Sequence, residues 1–334
     1  MRFAFLTLLS LLLLALSLVY GAVEIPPESV WQTIVAPGEA DAVWRLIVLE
    51  SRLPMALASF VSGAALAVAG LLLQTTFQNP LAGPSILGVS SGASMGVAVV
   101  MLFGAGAIVS GAAQYLSIIG GAIAGAAAVM LLLIFFSSIL KSSAMLLIAG
   151  IMIGYLTSSV ISLLNYFAPS DDVKSFVVWG LGSFAGVGVR ELPVFLGILV
   201  PLTAASILFA KPLNALLLGE RYASNMGYSV PALRTWLLGV SGVLTAIVTA
   251  FCGPIGFIGL VVPHIARMLF RTSNHFTLIP ATMLTGGLVT LLCNLLTVFP
   301  GKSGVLPVNA ITPLIGVPVI IYILVNRRKL KYFN

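Results

Sequence analysis

The side chains that could bind a metal ion or move a proton are few in this sequence. His264 and Arg267 stand three positions apart in the stretch GPIGFIGLVVPHIARML (253–269). An imidazole there could be a metal ligand, although such a histidine is more often an interface residue that bonds a carbonyl group. Cys252 and Cys293 both fall in apolar segments, which indicates small apolar fillers and neither a disulfide nor a metal site. We therefore predict no metal site in this chain.

The sequence also contains the end of a phosphate-binding loop. Gly301-Lys302-Ser303 has the required residue types, but the glycine that such a loop needs five positions before Gly301 is Leu296. Neither a metalloprotease helix nor a cluster of carboxylates is present, which argues against an intramembrane enzyme. We predict no catalytic residue and no bound cofactor.

The elements that must position these groups are membrane-spanning helices. Of the 334 residues, 60% are hydrophobic and 7% are charged, whereas a soluble domain carries about 25% charged residues. Apolar runs of roughly 18 or more residues recur along the chain without the alternation of a barrel strand. We predict an all-α polytopic membrane protein with a single transmembrane domain over 1–334 and about ten spans. The predicted spans are 3–21, 53–75, 88–108, 114–137, 143–167, 191–210, 234–252, 256–270, 277–298 and 306–326.

The charged residues lie at the edges of these predicted spans or outside them. The segments that we assign to the cytoplasmic side hold eleven of the 16 basic residues, and this excess explains the net charge of +7 without nucleic-acid binding. Both termini are then cytoplasmic, and the apolar run 3–20 is a retained first span rather than a signal peptide. Because a proton-driven transporter usually needs an ionisable group in its path, we expect the energy for transport to come from elsewhere.

Two spans begin with glycine and proline, which interrupt a helix. GPSILG (83–88) opens one span from the inner side, and GPIGFIG (253–259) opens another from the outer side. Similar breakers on opposite faces fit an inverted repeat of five spans, or they are a coincidence in a glycine-rich chain. On the cytoplasmic side, the only sizeable loop is 211–233, whose amphipathic pattern predicts a short helix along the surface. The apolar face of that helix would consist of Leu216, Leu217, Tyr222, Ala223 and Met226.

Several motifs, taken in their order and spacing, resemble one known family. The chain contains NPLA (79–82), LGVSSGA (87–93), WGLGS (179–183), LGE (218–220) and GFIGLVVPHIAR (256–267). Over residues 45–328 it resembles the permease subunits of the FecCD-type family of binding-protein-dependent ABC importers for iron chelates, haem and cobalamin. Positions within the matching motifs are Asn79, Pro80, Gly88, Ser91, Gly92, Gly256, Gly259, Pro263, His264 and Arg267.

The resemblance implies a type II importer that works as an assembly. Family members have ten helices and pair as homodimers, with the cargo path along the dimer axis. They bind two cytoplasmic ATPase subunits and a periplasmic substrate-binding protein, so ATP would be bound by a partner chain. The permease would lie among lipids in the bacterial inner membrane and carry a ferric siderophore, haem or cobalamin. An ion-coupled secondary transporter is the alternative, and an intramembrane enzyme is a more distant one.

The resemblance also assigns roles to individual residues. Within 211–233, the residues that would couple to the ATPase are Leu218, Gly219, Glu220, Arg221, Ala223, Met226 and Gly227. Arg52 matches an arginine that faces acidic residues of the binding protein, and Lys302 lies where another basic contact is expected. The family's second arginine, three residues after Arg52, is Met55 here. Ser142 and Ser143 match the region of the cytoplasmic gate, or they form a simple turn.

Overall fold

The structure is a computed structural model that describes residues 1–38, 40–103, 112–140, 142–298 and 305–325. Within these residues the regular structure is helical and contains no strand, which confirms the all-α prediction. The α-helices are α1 (Arg2–Val19), α2 (Pro27–Val35), α3 (Ala42–Leu46), α4 (Leu53–Thr76), α5 (Val89–Leu102), α6 (Ala112–Ile139), α7 (Ser143–Phe167), α8 (Ser170–Gly180), α9 (Leu192–Ala205), α10 (Ala210–Leu217), α11 (Glu220–Asn225), α12 (Val230–Cys252), α13 (Ile258–Phe270), α14 (His275–Val298) and α15 (Val308–Val325).

The described helices support a multi-pass membrane protein. Seven helical stretches are long and apolar enough to cross a membrane, and they cover α1, α3 with α4, α6, α7, α9 with α10, α12 and α14. The shorter apolar helices α5, α13 and α15 coincide with the three remaining predicted spans. The count of about ten spans therefore agrees with the prediction. The short helix α8, which contains Trp179, lies on the segment between α7 and α9.

The second predicted span begins earlier than expected. A π-helical stretch at Ile47–Arg52 joins α3 directly to α4, so this helix runs without a break from Ala42 to Thr76. The preceding outer segment holds α2, whose first turn contains Pro27 and Glu28. Proline is favoured there because the first turn of a helix needs no intrahelical N–H bond.

The predicted cytoplasmic loop contains two helices in place of one. α10 and α11 are separated at Gly219, whose φ of 110° is a conformation that residues with a side chain rarely adopt. Ala223 is fully buried, whereas Tyr222 and Met226 are 48% and 56% exposed. The prediction of one shared apolar face is therefore wrong, because residues spaced for a continuous helix lose their common side when the helix turns.

The central helix of the fold is α4. Of the membrane-spanning window that contains it, 83% is buried. Its glycines allow very close approach, since a Cβ atom added at Gly70 would lie 1.7 Å from the carbonyl oxygen of Gly259 on α13. A Cβ atom at Gly63 would likewise lie 2.3 Å from the carbonyl oxygen of Gly286 on α14. Helices in membranes associate through such small residues because lipid supplies little hydrophobic drive between them.

α5 and α13 each begin after an irregular segment. With 14 and 13 residues they are about 20 Å long, which is too short for a hydrocarbon core of about 30 Å. The segments before them, 78–88 and 253–257, lie close together, since Ser85 of the first and Gly256 of the second line the same cavity. Irregular backbone at this depth is tolerated where protein covers it or where it lines a cavity. These two interrupted helices are what an inverted repeat requires.

Candidate functional site

A cavity of about 390 Å³ lies where the two irregular segments meet. Its described walls come from the start of α5, the middle of α7, the segment before α13 and the start of α15. Its polar side chains are those of Ser85, Ser90, Ser91, Ser94, Ser158 and Asn309, and none of the described lining residues is charged. The cavity therefore offers hydrogen bonds without a formal charge.

Asn309, in the first turn of α15, holds the walls of this cavity together. Its Oδ1 accepts from the backbone N–H of Gly256 at 3.0 Å, and its Nδ2 donates to the carbonyl of Pro254 at 2.6 Å. Its backbone N–H donates to the carbonyl of Leu181, within WGLGS (179–183), at 3.2 Å. Two motifs that are distant in the sequence are thus fixed around one amide side chain.

A buried polar network links the inner parts of α4 and α13. Arg267 is 3% exposed, and its Nη1 donates to Oε1 of Gln74 at 2.8 Å. Nε2 of Gln74 donates in turn to the carbonyl of Leu260 at 2.9 Å. His264 Nε2 donates to the carbonyl of Pro80 at 2.8 Å, so this imidazole is a carbonyl-bonding interface residue. The described residues contain no group of three or more His, Cys, Asp or Glu that could hold a metal ion.

The other histidine ties α10 to the membrane helices. His275 is fully buried, and its Nδ1 and backbone nitrogen lie 2.9 and 2.8 Å from Oδ1 of Asn214 on α10. Its Nε2 lies 2.9 Å from Oγ1 of Thr75 on α4. Nearby, Nε2 of Gln78 donates to the carbonyl of Leu216 at 2.9 Å. The helix before Gly219 is therefore bonded to α14 and to the segment that directly follows α4.

An ion pair ties α11 to α12. Nη2 of Arg234 donates to Oε1 of Glu220 at 2.7 Å, and the two side chains are 6% and 43% exposed. Gly227 follows α11 with a φ of 90°, which a residue with a β-carbon adopts only with strain. Together α10 and α11 form what we call the coupling segment (210–225), which is bonded to α12, to α14 and to Gln78 just after α4.

Comparison with known proteins identifies the family of this chain. The FecCD transport family matches residues 8–326. The chain belongs to this family. It is accordingly a transport permease subunit of the ABC type and not an enzyme.

Individual relatives of this FecCD-family chain cover nearly its whole length. It is 36% identical to the vitamin B12 import system permease protein BtuC of Klebsiella pneumoniae over 97% of this chain and 93% of that protein. It is 35% identical to the protein of the same name from Escherichia coli O9:H4 over 97% and 94% of the two chains. A solved structure of an inward-facing metal-chelate type ABC transporter has 31% identity and a TM-score of 0.83, with 98% of each chain covered.

In this FecCD-family chain, Arg52 is placed differently from an exposed docking residue. Its side chain is 4% exposed, and Nη1 donates to the carbonyls of Leu18 and Val19 at 2.8 and 2.7 Å. Nη2 also donates to the carbonyl of Val23. The guanidinium thus binds carbonyls that the end of α1 leaves without an intrahelical donor. A contact with the binding protein would require it to leave this position.

The remaining residues suggested by the resemblance fall in several places. Lys302 lies outside the described residues, and of the two gate serines only Ser142 has a described side chain, which is exposed at the start of α7. Asn79 Oδ1 accepts from the backbone N–H of Leu81 at 2.9 Å. Pro263 lies inside α13. Their proposed roles stay predictions.

Backbone conformation explains one of the motif glycines, and close packing explains another. Gly88 has a φ of 79° at the start of α5. A Cβ atom at Gly92 would lie 2.5 Å from a side-chain atom of Val129 and 2.6 Å from the carbonyl oxygen of Gly125, both on α6. α5 and α6 therefore pack against each other at a distance that only glycine allows.

Sequence reasoning missed Asn214, His275 and Asn309. Each stands at or near a helix end and bonds a residue far away in the chain. A polar side chain next to a span is common in membrane proteins, so its type alone carries no signal of such a contact. Asn309 also lies outside the motifs that carry the family resemblance, so the resemblance assigned it no role.

Proposed function

We propose that this chain is the membrane-spanning subunit of an ATP-driven importer that carries a metal chelate into the cytoplasm across a bacterial inner membrane. It acts as a homodimer with two ATPase subunits at the cytoplasmic side and a substrate-binding protein at the outer side. Both termini and the coupling segment (210–225) lie on the cytoplasmic side. ATP is bound by the partner subunits, and lipid surrounds the outer helices.

The observation that supports this proposal is that the coupling segment and the turns next to it have two different sides, one exposed and apolar and one bonded to the rest of the fold. One side exposes Leu218, Tyr222 and Met226 at 65%, 48% and 56%, which suits the groove of a partner protein. The other side is bonded to α14 through Asn214 and to α12 through Glu220, and the carbonyl of Leu216 accepts from Gln78, which directly follows α4. A displacement of the exposed side would therefore be passed on to α12, to α14 and to the C-terminal end of α4, as ATP-driven opening of a path requires.

Relatives guide the choice of cargo. The two named permeases import vitamin B12, and the solved neighbour is described as a metal-chelate transporter. We favour a corrinoid, with a ferric siderophore or haem as the other members of the same class. Calorimetric binding of cyanocobalamin, ferrichrome and hemin to the cognate binding protein discriminates among them. Tight binding of hemin or ferrichrome alone would remove the corrinoid from consideration.

One exposed side of α7 supports the dimer. Hydroxyl groups form a stripe along this side, at helical spacing, through Tyr155, Ser158, Ser159, Ser162 and Tyr166, all of which are exposed. Polar groups are costly against lipid and occur mostly towards a bundle interior or a water-filled path. Ser158 also lines the cavity of about 390 Å³. We therefore place the second copy and the shared path on this side of α7.

The proposal is tested by reconstitution of the purified chain with its ATPase and binding protein in lipid vesicles. We expect uptake that requires ATP and both partners and that persists when an uncoupler removes the proton gradient. Uptake by the chain alone, or uptake abolished by the uncoupler while ATP is present, would favour an ion-coupled carrier.

A further inference from the structure

The N-terminal end of α5 faces the cavity without a cap. Its N-cap residue, Gly88, has a φ of 79° and no side chain that could bond the helix. Within the described residues, the backbone N–H groups of Val89, Ser90 and Ser91 have no acceptor. The aligned peptide dipoles give this end partial positive charge. It is therefore suited to an oxygen atom that carries negative charge.

The serine hydroxyls around this end are also unused. Ser90 is 9% exposed and lines the cavity, yet its hydroxyl bonds no other described residue. The hydroxyls of the other lining serines, Ser85, Ser91, Ser94 and Ser158, are likewise without a described partner. Elsewhere some buried hydroxyls bond their own helix, as that of Ser59 does to the carbonyl of Ala56, whereas four others lack a partner: those of Thr203, Ser241, Thr282 and Thr312. The cavity serines differ from those four in that five of them line one cavity together.

We propose that the start of α5 and the five cavity serines form a subsite for the oxygen-rich rim of the cargo. The groups that it binds are carbonyl or carboxylate oxygens at the edge of a metal chelate, because hydroxyl and amide donors complement such acceptors. This inference rests on the proposed function, and it specifies where in the path the cargo is held and by which groups.

The volume of the cavity and the lack of charge among its described lining residues fit a site that binds the cargo only briefly. Its volume of about 390 Å³ is near the lower end of the usual range for ligand sites, so it takes the edge of a large chelate rather than the whole molecule. None of the described lining residues is a cation that would hold an anion tightly. Transport requires this balance, because a site in a path must bind the cargo and then release it.

The first test measures uptake in vesicles that contain the complete importer, with cyanocobalamin as probe and hemin as a second probe. The combined variant Ser90→Ala, Ser91→Ala, Ser94→Ala should lower the uptake rate at saturating probe about tenfold, because hydrogen bonds to the cargo are lost. ATP hydrolysis stimulated by the binding protein should stay unchanged. Ser91→Thr keeps the hydroxyl and should retain the native rate.

The control is Ser59→Ala, which removes a buried hydroxyl that is already bonded inside α4. It should leave uptake unchanged. An unchanged uptake rate in the combined variant would overturn the subsite. A loss of ATP hydrolysis parallel to the loss of uptake would also overturn it, because a general packing defect would then explain the result.

The second test detects the cargo directly on the purified chain. Both native cysteines are buried, Cys252 at 2% and Cys293 at 0% exposed, so a cysteine placed at Ser94 is the main target of a water-soluble thiol reagent. Cyanocobalamin or hemin should slow this labelling several-fold at Ser94→Cys, but not at Ser138→Cys, an exposed position near the end of α6 that does not line the cavity. Equal labelling rates with and without both probes would refute the subsite.

The two tests separate this inference from the proposed function. If the native importer transports neither probe, the proposed cargo class is wrong, and the labelling result still decides whether the subsite binds oxygen-rich chelates. If native uptake is ATP-dependent but the combined variant and the labelling show no effect, the proposed function stands and the subsite is wrong.

Discussion

At the residue scale, the guanidinium of Arg52 caps the C-terminal end of α1. It is buried and donates to backbone carbonyls on both sides of the turn after that helix. Charged donors on carbonyls are among the stronger hydrogen bonds in proteins, and carbonyls that lose their donor while buried carry the full cost of desolvation. The primary effect of changing Arg52 should therefore be on stability.

We predict that Arg52→Gln lowers the free energy of unfolding by about 1–3 kcal/mol for the carbonyls left without a donor. Thermal unfolding of the purified chain in detergent measures this loss. Arg45→Gln is the control, because Arg45 is exposed and its described hydrogen bond is a single one, to the carbonyl of Pro37. A native melting temperature for Arg52→Gln together with weaker association of the binding protein at low salt would instead favour the docking role.

A second residue-scale prediction concerns Gly227. Its φ of 90° lies in the left-handed region, and a β-branched residue there costs about 1–2 kcal/mol or rearranges the turn. Gly227→Val should therefore move α11 and uncouple ATP hydrolysis from uptake. Both rates are measured in vesicles with the complete importer. In the control Gly239→Ala, an added Cβ atom meets no neighbour within 4 Å, and native coupling is expected.

At the element scale, the coupling segment behaves as an extension of the membrane helices. α10 is bonded to α14 through Asn214 and His275, and α11 is bonded to α12 through Glu220 and Arg234. These bonds join elements that are adjacent in space. Asn214 and His275, for example, are about 60 positions apart along the chain. Because two separate bonds reach two helices, we expect a displacement of this segment to move both α12 and α14 rather than one span.

We predict that Asn214→Ala lowers uptake several-fold while ATP hydrolysis by the assembled importer stays near native. The physical reason is that α10 would no longer move with α14 when the ATPase changes shape. Lys211→Ala is the matched control, since Lys211 is an exposed residue of the same helix. Full uptake by Asn214→Ala would mean that the ties through Gln78 and Glu220 suffice without it.

At the scale of the whole molecule, two features bear on the energy source and on the position of the transport path. They are the charge distribution and the hydroxyl stripe of α7. The described membrane-spanning helices keep their acidic residues at the ends, and the stripe needs water or protein beside it. Both features are accounted for if two copies enclose a water-filled path and an attached ATPase supplies the energy.

The dimer predicts a specific cross-link. With Ser159→Cys, a flexible bis-maleimide should join two copies of the chain in vesicles, which denaturing electrophoresis detects as a band of doubled mass. Leu131→Cys provides the control, because Leu131 is 64% exposed on α6, away from the stripe. If both variants cross-link equally, or neither does, the second copy does not lie on this side of α7.

Composition and periodicity were sufficient to predict the class of fold, because a run of apolar residues long enough for the membrane has few alternatives to a helix. Most predicted spans correspond to described helices, and the motifs around NPLA and GPIGFIG led to the correct family. The same information failed at the coupling segment, where a glycine with a positive φ turns the helix and separates residues that the period had grouped. Local backbone geometry of this kind is not encoded in hydrophobic spacing.

The sequence by itself determined that this chain is a helical membrane permease, and it led to the imidazole of His264 as an interface residue. Only the tertiary structure decided that Arg52 is buried against α1, that His275 holds Asn214, and that Asn309 and five serines surround one cavity. The physical reason is the same in each case. Hydrophobic burial depends on residue type and repeats along the chain, whereas a hydrogen bond depends on the distance between two atoms that the chain brings together only when it folds.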